Sequence, residues 1–460
     1  MSLIKSISGI RGTIGGKVND NLTPLDVVKF ASAFGTWLQN NKNKKDLTLI
    51  IGRDARISGL MVNSLVTATL QGLGINVIDL GLSTTPTVEI MVPELKADGG
   101  IILTASHNPK QWNALKLLNE KGEFISGENG AEVLELAENE DFNYAEVDDL
   151  GKYETRDDAF DIHIQQILDL PMVDVDAIKA KKYKVVLDAV NSTGGIAIPM
   201  LLDKLGCETV KLYCDPTGHF PHNPEPLKEH LGDICELVIK EKADVGIVVD
   251  PDVDRLALID EKGEMFGEEY TLVAVADYLL KNKNGVAVSN LSSSRALRDV
   301  AKTHSSKYFA SAVGEVNVVN LMKEKEAVIG GEGNGGIIYP ELHYGRDSLV
   351  GVALFLTHLA KENKTVSELR AGYPAYFMGK KKIELTPEID VDAILTKMEK
   401  EYQNEEVSTV DGVKIDFENN WVHLRKSNTE PIIRIYTEAF SQEEADDLGD
   451  KMIEKIKSLI

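Results

Sequence analysis

The stretch KVVLDAVNSTGGIAIPMLLDKLGCETVKLYC, residues 184–214, begins as an apolar, β-branched run. It passes through the loop NSTGG into a helical pattern and, after Leu-Gly, returns to a second strand-like run. The same order occurs earlier: LTLIIGR at 47–53, SGLMVNSLVTATLQGL at 58–73, then Gly74 and INVIDLG. It recurs at 285–313, from GVAVSNL through SRALRDVAKTH to KYFASAV. Residue identity between the copies is low, so what repeats is the grammar of strand, loop, helix and strand. Such units stack into α/β layers with largely parallel strands, and ligands collect at the loops after the strands' C-terminal ends. The last ninety or so residues differ: helical patterns at 390–403 and 441–459 flank short strands at 413–417, 421–424 and 432–438, which reads as an α+β domain. The expectation is an α/β protein of three similar domains, 1–153, 154–258 and 259–372, followed by an α+β domain at 373–460.

Composition narrows the function. The chain has 460 residues, 43% hydrophobic and 27% charged, as in an ordinary globular protein. No run approaches the roughly 20 apolar residues of a membrane span. The opening MSLIKSISGIRG lacks an apolar segment of signal-peptide length. The three cysteines, Cys207, Cys214 and Cys235, are odd in number and lack metal-type spacing. A reducing cytoplasm is the expected location. With 73 acidic against 50 basic residues the net charge is −23, which argues against sequence-independent binding to nucleic acid or an anionic membrane. An anionic ligand must be held by a few local cations.

Four loops carry candidate chemistry. In TASHNPKQWNALK, 104–116, Ser106 directly follows the apolar run 100–103, and Asn108 with Pro109 sets a turn. This is where a nucleophile would be presented, or an ordinary Ser/Asn/Pro turn; adjacent Ser-His is no hydrolase triad, and no G-x-S-x-G elbow surrounds it. In DPDVDR, 250–255, three aspartates at alternate positions turn carboxylates toward one point, which suits a hard cation; the alternative is an Asp-rich hairpin. The sixth residue is Arg255 instead of the glycine of a calcium EF-hand, and a strand follows, so Mg2+ fits better. GGEGNGG, 330–336, satisfies G-x-G-x-x-G, yet the chain continues IIYPEL instead of opening a helix, so a dinucleotide site is disfavoured. Glu332 and Asn334 could instead meet a polyhydroxylated ligand, or the segment is a flexible turn. RKSNTEP, 425–431, offers Arg425, Ser427, Asn428 and Thr429 as donors for a phosphate, with a solvated turn as the alternative.

In this order and spacing the four loops resemble those of the α-D-phosphohexomutase family, as do GIRG at 9–12, GRDARISG at 52–59 and PTGHFPHNPEP at 216–226. The resemblance covers the whole chain. It implies three α/β domains and a smaller C-terminal one around a central cleft. Ser106 would be the phosphoserine, and Asp250, Asp252 and Asp254 would hold Mg2+ together with its phosphate. Glu332 would grip sugar hydroxyls, with Asn334 beside it in the same loop, and the 425–429 loop would hold the distal phosphate. Arg11, His107, Lys116 and Arg255 match cationic or polar active-site positions. The implied reaction interconverts hexose 6-phosphate and 1-phosphate through a hexose bisphosphate. Charge agrees: a phosphoserine brings roughly −2, so with three carboxylates and one Mg2+ about −3 remains. Each uncompensated like-charge pair at 4 Å costs about 4 kcal/mol at an effective dielectric of 20, and Arg11, Lys116 and Arg255 are the available cations.

The chain departs from the family pattern in two places. Pro251 and Val253 stand where small residues are common, and Gly336 stands where bacterial members often carry histidine. The proton carrier is then to be sought among His343, Lys116 and His107. GRDARISG and SNLSS, 289–293, point to glucosamine 6-phosphate as substrate, with mannose and glucose phosphates as the alternative. An Asp-based phosphatase with Asp250 as nucleophile, and a non-catalytic sugar-phosphate sensor, are readings from other classes.

Overall fold

Strand Gly99–Leu103 is buried at all five positions, because both faces of its sheet are covered. Successive side chains alternate between those faces. Leu49, Ile51, Ile101 and Leu103 pack with Phe30, Phe34 and Leu38 of helix Pro24–Asn41 on one side. Ile50 and Ile102 meet Val88, Met91 and Val92 of helix Thr85–Glu94 on the other. These strands therefore read as continuous apolar runs instead of alternating ones.

The computed structural model describes residues 2–6, 9–42, 44, 46–384, 389–426 and 432–459. They form two compact units, one of residues 1–271 with 334–368, the other of 272–333 with 369–460.

In the first unit a seven-stranded sheet has the order Ile4–Ser6, Gly9–Thr13, Trp112–Leu118, Gly99–Leu103, Thr48–Arg53, Asn76–Leu82, Tyr153–Thr155. The last four strands are mutually parallel, while Trp112–Leu118 and Gly9–Thr13 join antiparallel, with Ile101 opposite Leu117 and Arg11 opposite Ala114. A second sheet runs Leu256–Ile259, Val245–Val249, Lys184–Asp188, Glu208–Leu212. Lys184–Asp188 pairs in parallel with both of its neighbours, as its strand-loop-helix grammar requires. Val245–Val249 and Leu256–Ile259 are an antiparallel hairpin, with the aspartate loop as its turn.

The second unit contains three parallel strands, in the order Lys307–Ser311, Val286–Asn290, Ile329–Glu332. It also holds an antiparallel sheet of Phe377–Glu384, Ile432–Ala439, Trp421–Lys426, Val413–Asp416 and Glu406–Ser408. Helices Val391–Glu401 and Gln442–Lys457 pack on that sheet through Ile394, Met398, Met452 and Ile456. Among the described residues no helix is long and apolar enough to cross a membrane.

Candidate active site

Ser106 lies three residues beyond the end of strand Gly99–Leu103, with a left-handed backbone, φ 49°, and 4% exposure. A non-glycine residue rarely takes that conformation, and here it is held from two sides. Thr104 Oγ1 accepts from the Ser106 N–H at 2.9 Å and donates to Asp54 Oδ2 at 2.6 Å. Arg56, 1% exposed, donates to the carbonyls of Ser106, Asn108 (2.6 Å), Pro109 (2.8 Å) and Trp112 (3.1 Å), and its Nε meets Asp54 Oδ2 at 2.9 Å. Burial pushes the Asp54 carboxyl up, with Arg56 opposing. Arg11 Nη1 donates to Asn108 Oδ1 at 2.9 Å.

The serine loop and the aspartate loop meet. Ser106 Oγ donates to Asp250 Oδ2 at 2.8 Å and lies 3.3 Å from His107 Nδ1. Asp250, Asp252 and Asp254 are fully buried, and one ligand oxygen from each lies within 4.8 Å of the others. Two hydroxyls of the NSTGG loop, Ser192 (2.6 Å) and Thr193 (3.0 Å), donate to the Pro251 carbonyl and fasten the hairpin turn. Val253, a β-branched residue at φ 65°, carries backbone strain of about 1–2 kcal/mol. Its fully buried side chain offsets that cost. Asp250 Oδ1 accepts from the N–H groups of Asp254 and Arg255.

The carboxylates are balanced unevenly. Lys116 Nζ is 2.7 Å from Asp252 Oδ2 and 3.6 Å from Asp254 Oδ2. Arg346 Nη2 is 2.7 Å from Asp254 Oδ2, and Thr85 Oγ1 donates to Asp252 Oδ2 at 2.6 Å. Burial, then the charges of Asp252 and Asp254, push the Asp250 carboxyl well above the usual range. Burial also opposes ionisation of Asp252, but Lys116 outweighs it and holds that carboxyl below the usual range. Asp252 Oδ1 and Asp254 Oδ1 are buried with no hydrogen-bond donor among the described residues. Two donorless carboxylate oxygens beside a third carboxylate and a hydroxyl are an all-oxygen set that fits a hard divalent cation.

Of the other expected site residues, Arg255 faces Glu225 of the 216–226 stretch at 3.3 Å. Gly218, φ 71°, lets that stretch lie against the Ala55 carbonyl, where a Cβ would come within 2.0 Å. Asn334 Oδ1 accepts from the Gly336 N–H at 3.2 Å. Burial, then Arg255 and Arg11, push the His107 imidazole down to about 2, so it is neutral here. His343 joins a buried cluster instead of the serine: its ring nitrogens are each 3.4 Å from Glu89 Oε2 and Asp347 Oδ2, and His163 Nε2 is 2.9 Å from the same Asp347 oxygen. Glu332 and Arg425 belong to the second unit. Glu332 Oε1 accepts from Asn290 Nδ2 at 3.0 Å and the Gly314 N–H at 3.1 Å, and Arg425 Nε pairs with Asp411 at 2.7 Å. Ser427, Asn428 and Thr429 lie outside the described residues.

Four contributors were not singled out in the sequence: Asp54, Arg56, Thr85 and Arg346. The first two sit inside GRDARISG, a visible signature whose partners are fifty residues away. Thr85 and Arg346 begin or precede helices that carry no motif.

Residues 4–144, 161–263 and 267–376 match α/β/α domains I, II and III of phosphoglucomutase/phosphomannomutase, and 380–455 match its C-terminal domain. The chain is 38% identical over 453 residues to the phosphoglucomutase/phosphomannomutase of Thermococcus kodakarensis, covering 96% of this chain and 98% of that one. It is 34% identical to the phosphoglucosamine/phosphogalactosamine mutase of Sulfurisphaera tokodaii, covering 98% of both. The crystal structure of a phosphoglucomutase/phosphomannomutase family protein from Burkholderia thailandensis superposes with a TM-score of 0.85 at 24% identity, covering 99% and 98% of the two chains. Fold and matches together define an isomerase that transfers phosphate intramolecularly. The chain belongs to the phosphoglucomutase/phosphomannomutase family of α-D-phosphohexomutases.

Proposed function

We propose that Ser106 carries the phosphate, that Asp250, Asp252 and Asp254 hold Mg2+ against it, and that the substrate is glucosamine 6-phosphate. The observation that carries this reading is the Ser106 Oγ contact to Asp250, beside two carboxylate oxygens that have no donor among the described residues. Bound Mg2+ would supply Lewis-acid stabilisation of the transferring phosphoryl oxygens. The chain's own residues do the rest by positioning and charge. Lys116 and Arg346 offset the carboxylates, Arg11 fixes Asn108 in the serine loop, and His107 lies beside the serine oxygen. Arg255 is a further cation for the substrate. Glu332, oriented by Asn290 and Gly314, takes sugar hydroxyls, with Asn334 assisting. Arg425, with Ser427, Asn428 and Thr429, takes the distal phosphate.

In the forward direction the Ser106 phosphoryl group passes to the sugar's free 1-hydroxyl; as the Ser106 O–P bond breaks, the departing serine oxygen takes up the equivalent of the proton that the hydroxyl gives up. The resulting hexose 1,6-bisphosphate reorients, and the Ser106 hydroxyl, losing its proton, takes the 6-phosphate as the bond from phosphorus to the sugar's 6-oxygen breaks and that oxygen is protonated, leaving the 1-phosphate product and restoring the phosphoenzyme. A cytoplasmic location suits a soluble phosphosugar substrate and the three free cysteines.

Relatives named for phosphoglucosamine support the amino sugar. The 38% identical relative favours a second reading, glucose and mannose phosphates. Peptide mass spectrometry of the purified protein should find phosphate on Ser106, and Ser106→Ala should abolish mutase turnover with the fold intact. An alanine variant that keeps mutase turnover would remove the phosphoserine role and leave Asp250 as the candidate nucleophile.

A further inference from the structure

Arg346 reaches the aspartate loop from outside every motif. Its Nη2 lies 2.7 Å from Asp254 Oδ2, while Asp254 Oδ1 is buried without a donor among the described residues. Its stem passes directly over Gly336. A Cβ built on Gly336 would stand 2.3 Å from Arg346 Cδ and 3.0 Å from Cγ, far inside the roughly 3.5–4.0 Å at which carbon atoms pack. The clash is with the middle of the side chain, so rotation of the guanidinium alone does not relieve it. Glycine at 336 and arginine on Asp254 therefore go together.

The backbone carrying Arg346 is itself tied to the loop. Asp347 caps helix Ser348–Glu362, its Oδ1 accepting from the N–H groups of Leu349 and Val350, and the Ser348 N–H donates to the Val253 carbonyl at 3.2 Å. Arg346 thus approaches Asp254 from a fixed base.

We propose that Arg346 is the positioning residue of the metal loop, pinning Oδ2 of Asp254 so that Oδ1 alone faces the cation, and that Gly336 exists to let it do so. A carboxylate with one oxygen pinned is a one-oxygen ligand, which suits the near-ideal octahedron of Mg2+. A released carboxylate can swing to offer both oxygens, which suits the larger, more flexible shell of Ca2+. Losing the arginine's charge changes the affinity for both divalent ions in the same direction, so their ratio reports geometry. The inference rests on the metal reading of this loop proposed above.

The test is calorimetric titration of the metal-free full chain with Mg2+ and separately with Ca2+. Arg346→Ala should raise the ratio of the Mg2+ to the Ca2+ dissociation constant by roughly tenfold, the lower end for a residue supporting a metal ligand. Gly336→Ala should shift the ratio the same way by displacing the stem. The double variant should match Arg346→Ala alone, because the new methyl group then has nothing to strike. Arg346→Lys, which keeps stem and charge without the fork, should lie between parent and alanine variant, and it stands in if the alanine variant does not fold. A ratio unchanged from the parent in Arg346→Ala, or shifts that multiply in the double variant, would overturn the role of Arg346. A parent that binds neither ion would take the metal reading down as well.

Discussion

Arg56 holds the serine loop from outside it. Its guanidinium spends its donors on four carbonyls between residues 106 and 112 and on Asp54, and its plane lies over the Phe220 ring at 5.1 Å. The φ 49° backbone of Ser106 is thereby imposed by a partner that the local sequence does not contain. Arg56→Leu would leave those carbonyls short of donors and Asp54 buried without its counter-charge. Breaking a buried ion pair costs about 3–5 kcal/mol, and denaturant unfolding of the first unit should show a loss of that order. Arg56→Lys should recover only part, since one ammonium cannot serve a fork of divergent acceptors. A loss below about 1 kcal/mol in the leucine variant would mean that the loop keeps its shape by other means. In the sequence GRDARISG is conspicuous, but nothing in its spacing says that Arg56 reaches Trp112. Ser106 is legible for the opposite reason: its position just past an apolar strand is a local property.

At the scale of elements, periodicity was readable where one face of an element meets water. The helix expected at 58–73 is Gly59–Gly72, and those expected at 390–403 and 441–459 are Val391–Glu401 and Gln442–Lys457. The two helices that position the aspartate loop were not assigned. In Thr85–Glu94 residues 85–92 are all buried, and in Ser348–Glu362 residues 348–360 are. A helix covered all round shows no apolar stripe, so neither these helices nor Thr85 and Arg346 at their starts are legible from periodicity.

Strand Trp421–Lys426 offers a test at this scale. His423, 1% exposed, accepts at Nδ1 from Ser292 Oγ at 2.9 Å and donates from Nε2 to the Asp411 carbonyl at 2.6 Å. Burial pushes its imidazole down to about 4, against the partial opposition of the Asp411 carbonyl. Above its unfolded value of about 6.5 both states are neutral and pH has no leverage through this group. Between about 6.5 and 4 the unfolded chain binds a proton that the folded one refuses, so stability falls with pH, by about 3 kcal/mol in all. Hydrogen exchange in residues 421–426 and 432–439, corrected for the intrinsic rate, should lose protection between pH 7.5 and 5. In His423→Gln that loss should be smaller. Equal losses in both proteins would place the acid sensitivity elsewhere.

At the scale of the whole molecule, the open question is what sits at C2 of the sugar. All three candidate substrates present the same 6-phosphate and the same reacting hydroxyl, so the roles proposed for the serine, the aspartates and Arg425 do not distinguish them. Charge at C2 can separate the amino sugar from the other two, and the shape of the C2 substituent is the alternative. Glucosamine 6-phosphate carries an ammonium at C2 where the others carry a neutral hydroxyl, and the protein has a net charge of −23. In the aspartate loop, three buried carboxylates face two cations in direct contact. One favourable contact of about 1.4 kcal/mol is a tenfold preference, which a single carboxylate near the ammonium can supply. Compared at equal concentration in a coupled assay, kcat/KM should be highest for glucosamine 6-phosphate, by about that factor. The preference should shrink as pH rises through titration of the substrate's amine, because the neutral amine loses the attraction. A preference that persists unchanged above that range would assign it to shape instead of charge. Turnover of glucose or mannose 6-phosphate about tenfold faster would give the site to the second reading and leave the phosphoserine chemistry intact.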